Sequence, residues 1–283
     1  MRKLYIIMPT INMRSYVDGA YLSIRNSELP DDVEMRFCLM DQESTAEDVK
    51  SWQKDSPETD YIRFEPRVAL AKAWNVGVRK AIEWGATHIG VFNDDIVLHP
   101  KTLKHLLNFM DHTGYLMVTA DNIKDRMSKE TMMQMELPME FTDYDCDPIG
   151  DWRAEGPDFS CYMINPKIME IVGWFDENFI GAYCEDQDYH VRIRRAYAHV
   201  KQHKDKGIEP ERIHAKRLST APYYHYASAT LAMNPTLRPD IYSKHAQNQS
   251  YYLRKWGAEH PIAMDGKGNI QPFGVAGKDW RDW

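Results

Sequence analysis

Thr87–Leu98, THIGVFNDDIVL, opens as a short apolar run containing Ile89, Val91 and Phe92 and then presents two adjacent carboxylates, Asp94 and Asp95. A run of this length, rich in β-branched and aromatic residues, predicts a buried strand. Neighbouring carboxylates repel each other, so a strand end that keeps both ionised needs a compensating cation, and oxygen ligands suit Mg²⁺ or Mn²⁺. A plain polar turn after a strand would use the same residues. The rest of the chain decides between the two.

Upstream, Leu70, Ala73, Trp74, Gly77, Val78, Ala81 and Ile82 keep one apolar face, which predicts a helix over Ala69–Trp84. Strands are expected at Leu4–Met8, Met35–Met40 and Tyr61–Phe64. Val17, Ala20, Tyr21 and Ile24 mark a helix between the first two, and Thr45–Lys54 reads as another. Downstream come a helix at Pro100–Asp111 and a strand at Tyr115–Ala120. Strands alternating with helices at these lengths imply βαβ units, hence a parallel sheet with helices on both faces. Ligands of such sheets lie outside the carboxyl ends of the strands, where Thr10, Asp41 and Asp94–Asp95 fall. No glycine-rich phosphate loop follows any strand, so a metal is the expected holder of a diphosphate.

The 283 residues are 43% hydrophobic and 27% charged, enough for one α/β domain with additions or two small domains. A net charge of −7 excludes a global basic field for nucleic acid. Cys38, Cys146, Cys161 and Cys184 have no CxxC spacing, which fits a reducing compartment and disfavours zinc. The apolar run near the start is stopped by Pro9, too soon for a signal-peptide core. No stretch approaches the roughly 18 apolar residues of a membrane span. A cytoplasmic protein is expected.

From Asp121 to Glu155 periodicity is lost. Met127, Met132, Met133, Met135 and Met139 read as gap-filling core or as a mobile cover, followed by Asp143, Asp145, Asp147 and Asp151. Phe159–Ile164 predicts a strand. Gly173-Trp174-Phe175-Asp176-Glu177 then precedes Glu185-Asp186-Gln187-Asp188, which opens a basic helix over Glu185–Ala198. Acids in a first helical turn are favoured by the helix dipole alone.

The order of strand, VGWFDE turn and EDxD resembles the acceptor half of family 2-type glycosyltransferases of the GT-A fold. In the first half, Asn93-Asp94-Asp95 stands where that family has its DxD, and Asp41 where it has the carboxylate ending the second strand. Ala69–Gly77, ALAKAWNVG, is similar to its segment ending in Asn-x-Gly. Pro222–Thr230, PYYHYASAT, is similar to its late histidine motif, and Tyr251–Gly257, YYLRKWG, to the ending of many members. The resemblance covers residues 4 to about 257. Asn93, Ala69 and Trp74 depart from it, Trp74 standing where arginine is frequent.

The resemblance implies an α/β fold of GT-A type, a mostly parallel Rossmann-like sheet flanked by helices. Residues 1–120 would form the nucleotide-sugar half, 121–230 the acceptor-binding and catalytic half, and 231–283 a C-terminal helix and tail. It further implies a metal-dependent inverting transferase that moves a sugar from a nucleoside diphosphate, UDP favoured, to a hydroxyl acceptor. Asp95 and His225 would bind Mn²⁺ or Mg²⁺, and Pro9, Thr10, Asp41, Arg67, Asn75 and Asp94 the nucleotide. Asp186 would be the base, with Asp158, Glu185 and Trp174 on the acceptor. A nucleotidyltransferase would instead carry a glycine-rich loop after the first strand, and Thr10–Arg14 is not one. A non-catalytic relative would not need Asp95, Asp186 and His225 intact.

Arg192–Arg217 holds nine Lys/Arg against three acids. It reads as a solvated helix face, or else as the seat of a polyanionic acceptor such as nucleic acid, a lipid-linked sugar or a teichoic-type polymer. Gly257–Trp283, with Trp280 and Trp283, is expected to cover the pocket or meet a second subunit.

Overall fold

The computed structural model describes residues 1–45, 47–138, 140–145, 157–203 and 207–256. The chain opens with β1 (Arg2–Thr10), α1 (Arg14–Arg25), β2 (Val33–Gln42), α2 (Glu47–Lys50), α3 (Trp52–Asp55) and β3 (Asp60–Phe64). Then come α4 (Leu70–Glu83), β4 (His88–Phe92), β5 (Ile96–Leu98), α5 (Thr102–Thr113), β6 (Met117–Asn122), α6 (Lys129–Met133) and β7 (Asp143–Asp145). The rest is β8 (Cys161–Ile164), α7 (Ile168–Ile171), α8 (Glu185–His203), β9 (Ala215–His225), α9 (Ala229–Met233) and α10 (Arg238–Trp256).

One sheet runs β3-β2-β1-β4-β8-β6-β9-β5, with β7 also on β9. The expected parallel arrangement holds from β3 to β4, whereas β8 runs antiparallel to both β4 and β6. The reversal has a consequence for the site. An antiparallel β8 starts where β4 ends, Phe92 pairing with Cys161, so the turn before it reaches the same rim as Asn93. The Asn93 amide donates to the Ser160 carbonyl at 2.9 Å.

Period-two alternation along β1 divides the core. Leu4, Ile6 and Met8 pack with Val17, Ala20 and Ile24 of α1 and Leu103, Leu106 and Leu107 of α5. Tyr5 and Ile7 pack on the other face with Ala73, Trp74, Val78 and Ala81 of α4 and Tyr189, Ile193 and Ala196 of α8. Each such aliphatic side chain contributes about 1.5–3 kcal/mol on burial. Gly77 lets α4 settle on the sheet, because a Cβ there would lie 2.8 Å from Ile7 Cγ2 and 2.9 Å from Met40 Sδ.

Two expectations are corrected, and one strand is added. The helix expected over Thr45–Lys54 is two short ones, α2 and α3, parted at Ser51, which turns Trp52 inward onto Tyr21 and lets its indole donate to Thr59 Oγ1 at 2.9 Å. β9 was not legible as a strand, since it carries Pro222 and, before it, four polar or charged residues, Lys216, Arg217, Ser219 and Thr220. Its register against β6 shifts just there, Ala120 facing Leu218 and Asp121 facing Pro222, and a proline is tolerated at such an irregularity. The basic run is not one solvated face, because Arg192 and Arg194 are buried.

Within Asp121–Glu155, the Ser128 hydroxyl caps α6 and Met132 is buried while Met133 is exposed. Met139, Asp147 and Asp151 lie outside the described residues, as do Lys204, Lys206 and the tail 257–283 with Trp280 and Trp283. Among the described residues no helix is long and apolar enough to cross a membrane.

α10 is fixed to the body by buried charges. Lys255 Nζ lies 2.6 Å from Asp176 Oδ2 and 2.7 Å from Asp188 Oδ1, and Arg192 Nε donates to Asp188 Oδ2 at 3.0 Å. The Trp256 indole also donates to Asp188, at 2.9 Å. All four charged groups are essentially inaccessible to water, a setting in which removing one partner strands the others.

Candidate active site

A cleft of about 820 Å³ opens at the carboxyl ends of β1 and β4, with the starts of α8 and α10 on its far side. Thr10, Asp94, Asp95 and His225 line the strand side. Asp94 is buried, accepts a 2.7 Å hydrogen bond from Thr10 Oγ1, and has its pKa pushed up to about 7 by burial and by the charge of Asp95. Antiparallel pairing of β5 with β9 sets Ile96 opposite His225, which brings His225 Nε2 to 3.0 Å from Asp95 Oδ1. The two residues expected as metal ligands are therefore neighbours, although 130 positions separate them.

The opposite wall is the first turn of α8. Tyr183 and Cys184 precede it with φ of 78° and 75°, and Ala227 and Ser228 follow His225 with φ of 57° each. Left-handed backbone is uncommon for such residues and collects where a side chain has to be aimed. Asn248 of α10 fastens the approach: its Nδ2 donates to the carbonyls of Ile180, Ala182 and Tyr183 at 2.8, 3.2 and 2.9 Å, and its Oδ1 accepts from the Ile180 amide at 2.9 Å.

Glu185 and Asp186 both line the cleft. Glu185 is buried, its Oε2 has no hydrogen-bond partner, and burial and Asp186 together raise its pKa to about 8. Asp186 is half-buried, accepts from the Gln187 amide at 2.8 Å, and is also raised, chiefly by burial. Asp188 turns the other way, into the buried charges that hold α10.

Of the other residues expected at the site, Pro9, Arg67 and Asp158 line the cleft. Asp158 caps the turn into β8 by accepting from the Ser160 amide at 2.9 Å and also accepts from the Tyr223 hydroxyl. Asp41, Asn75 and Trp174 are not brought to the lining. Asp41 is fully buried, and its oxygens are taken by the Ser44 amide, the Tyr61 hydroxyl and Arg63. Asn75 joins α4 to the Phe175 turn, donating to the Phe175 carbonyl at 2.8 Å and accepting from its amide at 3.0 Å. Trp174 lies under Arg79, 4.6 Å from ring centroid to guanidinium.

Sequence reasoning missed Asn248, Lys244 and Lys255, all on α10. The available signal was Asn248, Tyr252 and Lys255 at helical spacing, polar residues recurring on a face that also holds an aromatic.

Asp95 and His225 offer one oxygen and one nitrogen, with Asp94 a second carboxylate beside them. Among the described residues no group of three or more His, Cys, Asp or Glu is placed to hold a metal ion. The donor set fits a hard divalent ion that takes its remaining ligands from water or substrate oxygens.

The structure is similar to that of S. aureus TarS 1-349, with a TM-score of 0.54 at 15% identity over 88% of this chain and 69% of that one. A TarS 1-349 structure in complex with UDP-GlcNAc gives 0.53 at 16% identity over 89% of this chain and 72% of that one. Against the longer TarS chain the TM-score is 0.54 at 16% identity, over 89% of this chain and 43% of TarS. No curated protein matches the sequence. The family model described as "Glycosyl transferase family 2" matches residues 5–172, more than half of the chain. The cleft with its two acid pairs is thus built on a GT-A sheet, and the chain belongs to glycosyl transferase family 2.

Proposed function

We propose that this glycosyltransferase moves a sugar from a nucleoside diphosphate, UDP favoured, onto a hydroxyl acceptor with inversion at the anomeric carbon and with the help of Mn²⁺ or Mg²⁺. The observation that carries the reading is that Asp94, Asp95, His225, Glu185 and Asp186 all line one cleft. The UDP and UDP-GlcNAc complexes of TarS support a uridine donor.

Asp186 is the base. As the acceptor oxygen bonds to the anomeric carbon, the Asp186 carboxylate takes its proton, while the bond from that carbon to the leaving phosphate oxygen breaks and the diphosphate keeps the electron pair. Such assistance accelerates transfer by about 10²–10⁴-fold, and a carboxylate whose pKa is raised by burial is the better base near neutrality. Glu185, held protonated, orients the acceptor hydroxyl without competing for its proton. Asp158 shapes the acceptor side. Pro9, Thr10, Asp94 and Arg67 face the nucleotide, while Asp41 and Asn75 act from behind the wall as positioning residues. Asp95 and His225 would hold the cation, which when bound neutralises charge on the leaving diphosphate.

Release of nucleoside diphosphate from UDP-glucose, UDP-GlcNAc and GDP-mannose in Mn²⁺ tests the reading. Slow hydrolysis of one donor, abolished in Asp186→Asn, is expected. Failure of the wild type to hydrolyse or bind any of the three would overturn it.

A further inference from the structure

The cleft lining carries six carboxyl groups, those of Asp94, Asp95, Asp158, Glu185, Asp186 and Asp240, and among the described lining residues two Lys/Arg side chains, Arg67 and Lys244. A diphosphate entering there adds negative charge to a wall already rich in it. Both cations end on a single oxygen: Arg67 Nη2 donates to Asp240 Oδ2, and Lys244 Nζ donates to the same atom at 2.8 Å. The three side chains keep 28%, 29% and 42% of their surface exposed, so the cluster stands open to the cleft.

Lys244 has a built seat. Its stem crosses Gly181, where a Cβ would lie 2.8 Å from Lys244 Cδ, and Gly181 has a φ of +67° that disfavours any side chain. The Gly181 carbonyl accepts from the Leu70 amide at 2.7 Å, which ties the seat to the start of α4. One turn further along α4, Trp74 offers the cleft an aromatic wall without charge. Positive charge for the donor therefore comes from the β3–α4 connection and from α10, and α10 lies beyond the stretch that the family model matches.

We infer that Arg67 and Lys244 clamp the donor's diphosphate and that Asp240 is its internal stand-in, phosphate oxygens replacing the Asp240 carboxylate between the two cations. This rests on the nucleotide-sugar reading above. Partly exposed ion pairs contribute little to stability, so the exchange of one anion for another is easy, and guanidinium matches phosphate geometry well.

Calorimetric titration in Mn²⁺ with the best-bound of UDP, GDP and dTDP, compared with its own nucleoside, is the test. Lys244→Ala and Arg67→Ala should each weaken diphosphate binding about tenfold and leave the nucleoside within about twofold. Lys244→Arg should restore most of the loss. Asp240→Asn should tighten diphosphate binding several-fold, because it frees the cations. Equal losses for nucleoside and diphosphate, weaker diphosphate binding in Asp240→Asn, or unchanged affinity in both alanine variants would overturn the clamp. A wild type that binds none of the three diphosphates would overturn the nucleotide-sugar reading and the clamp with it.

Discussion

Two acid pairs line the one cleft and are built in opposite ways. Asp94–Asp95 sits just beyond β4, a strand buried at every position, and finds its partners nearby in Thr10 and His225. Glu185–Asp186 opens a helix after two left-handed residues, and its approach is fastened by a side chain more than sixty positions later in the chain. The first pair is surrounded by a hydroxyl and an imidazole and suits a cation. The second leaves a buried carboxyl oxygen without a partner and both acids raised, which suits the handling of protons. An apolar strand can deliver charge to one wall, while polar wiring from a distant helix is needed to aim the other.

The largest effect separates the two roles. Asp186→Asn should lower transfer by about 10²–10⁴-fold with nucleoside-diphosphate affinity kept, whereas Asp95→Ala should lose affinity first. Steady-state rates and calorimetry on both variants check this, and matching defects would erase the distinction between the walls.

Next is the wiring behind the second pair. Lys255→Met leaves Asp176 and Asp188 buried without their ammonium and should destabilise the fold by about 3–5 kcal/mol in urea unfolding. A loss under about 1 kcal/mol, the range of an exposed pair, would mean that α10 is not held in this way.

A smaller cost is expected for Asn248→Ala, about 1–3 kcal/mol, from the loop carbonyls left unsatisfied. Chemical unfolding gives the number, and near-identity with the wild type would contradict the clasp.

The last effect is on pH. Glu185 titrates near 8 in the folded chain, against an ordinary 4.5, so the native state keeps a proton that the unfolded state has already lost. Stability contributed by the protonated group is thus lost as pH rises from about 4.5 to about 8. Glu185→Gln removes the titration, so its melting temperature should fall by a few degrees less than that of the wild type between pH 5.5 and 8.5, on the order expected for such a change. Parallel pH curves for the two proteins would place Glu185 in an ionised, solvated state.

What was legible follows the same division. β1, β2, β4, α1 and α4 are written as apolar periodicities, and Asp94–Asp95 could be placed from them because a strand fixes where its end lies. His225 was found only as part of a motif, since β9 hides its strand behind charged residues and Pro222. Asp41 and Asn75 were legible as polar residues at the right places, yet the structure turns them inward to hold Arg63 and the Phe175 turn. Asn248, Lys244 and Lys255 were not legible as site-forming residues. On a helix of low amphipathic contrast, a buried lysine and a solvated one look alike until their partners from Asp176 to Asp188 are folded against them.

In the proposed function the Asp95–His225 wall takes the donor's diphosphate together with a divalent cation. Calorimetric titration of the wild type, Asp95→Ala and His225→Ala with UDP, GDP and dTDP, in Mn²⁺ and again in EDTA, tests it most directly. Binding by the wild type in Mn²⁺ that disappears in EDTA and is strongly weakened in both variants is the predicted result; wild-type binding that EDTA leaves unchanged would contradict it.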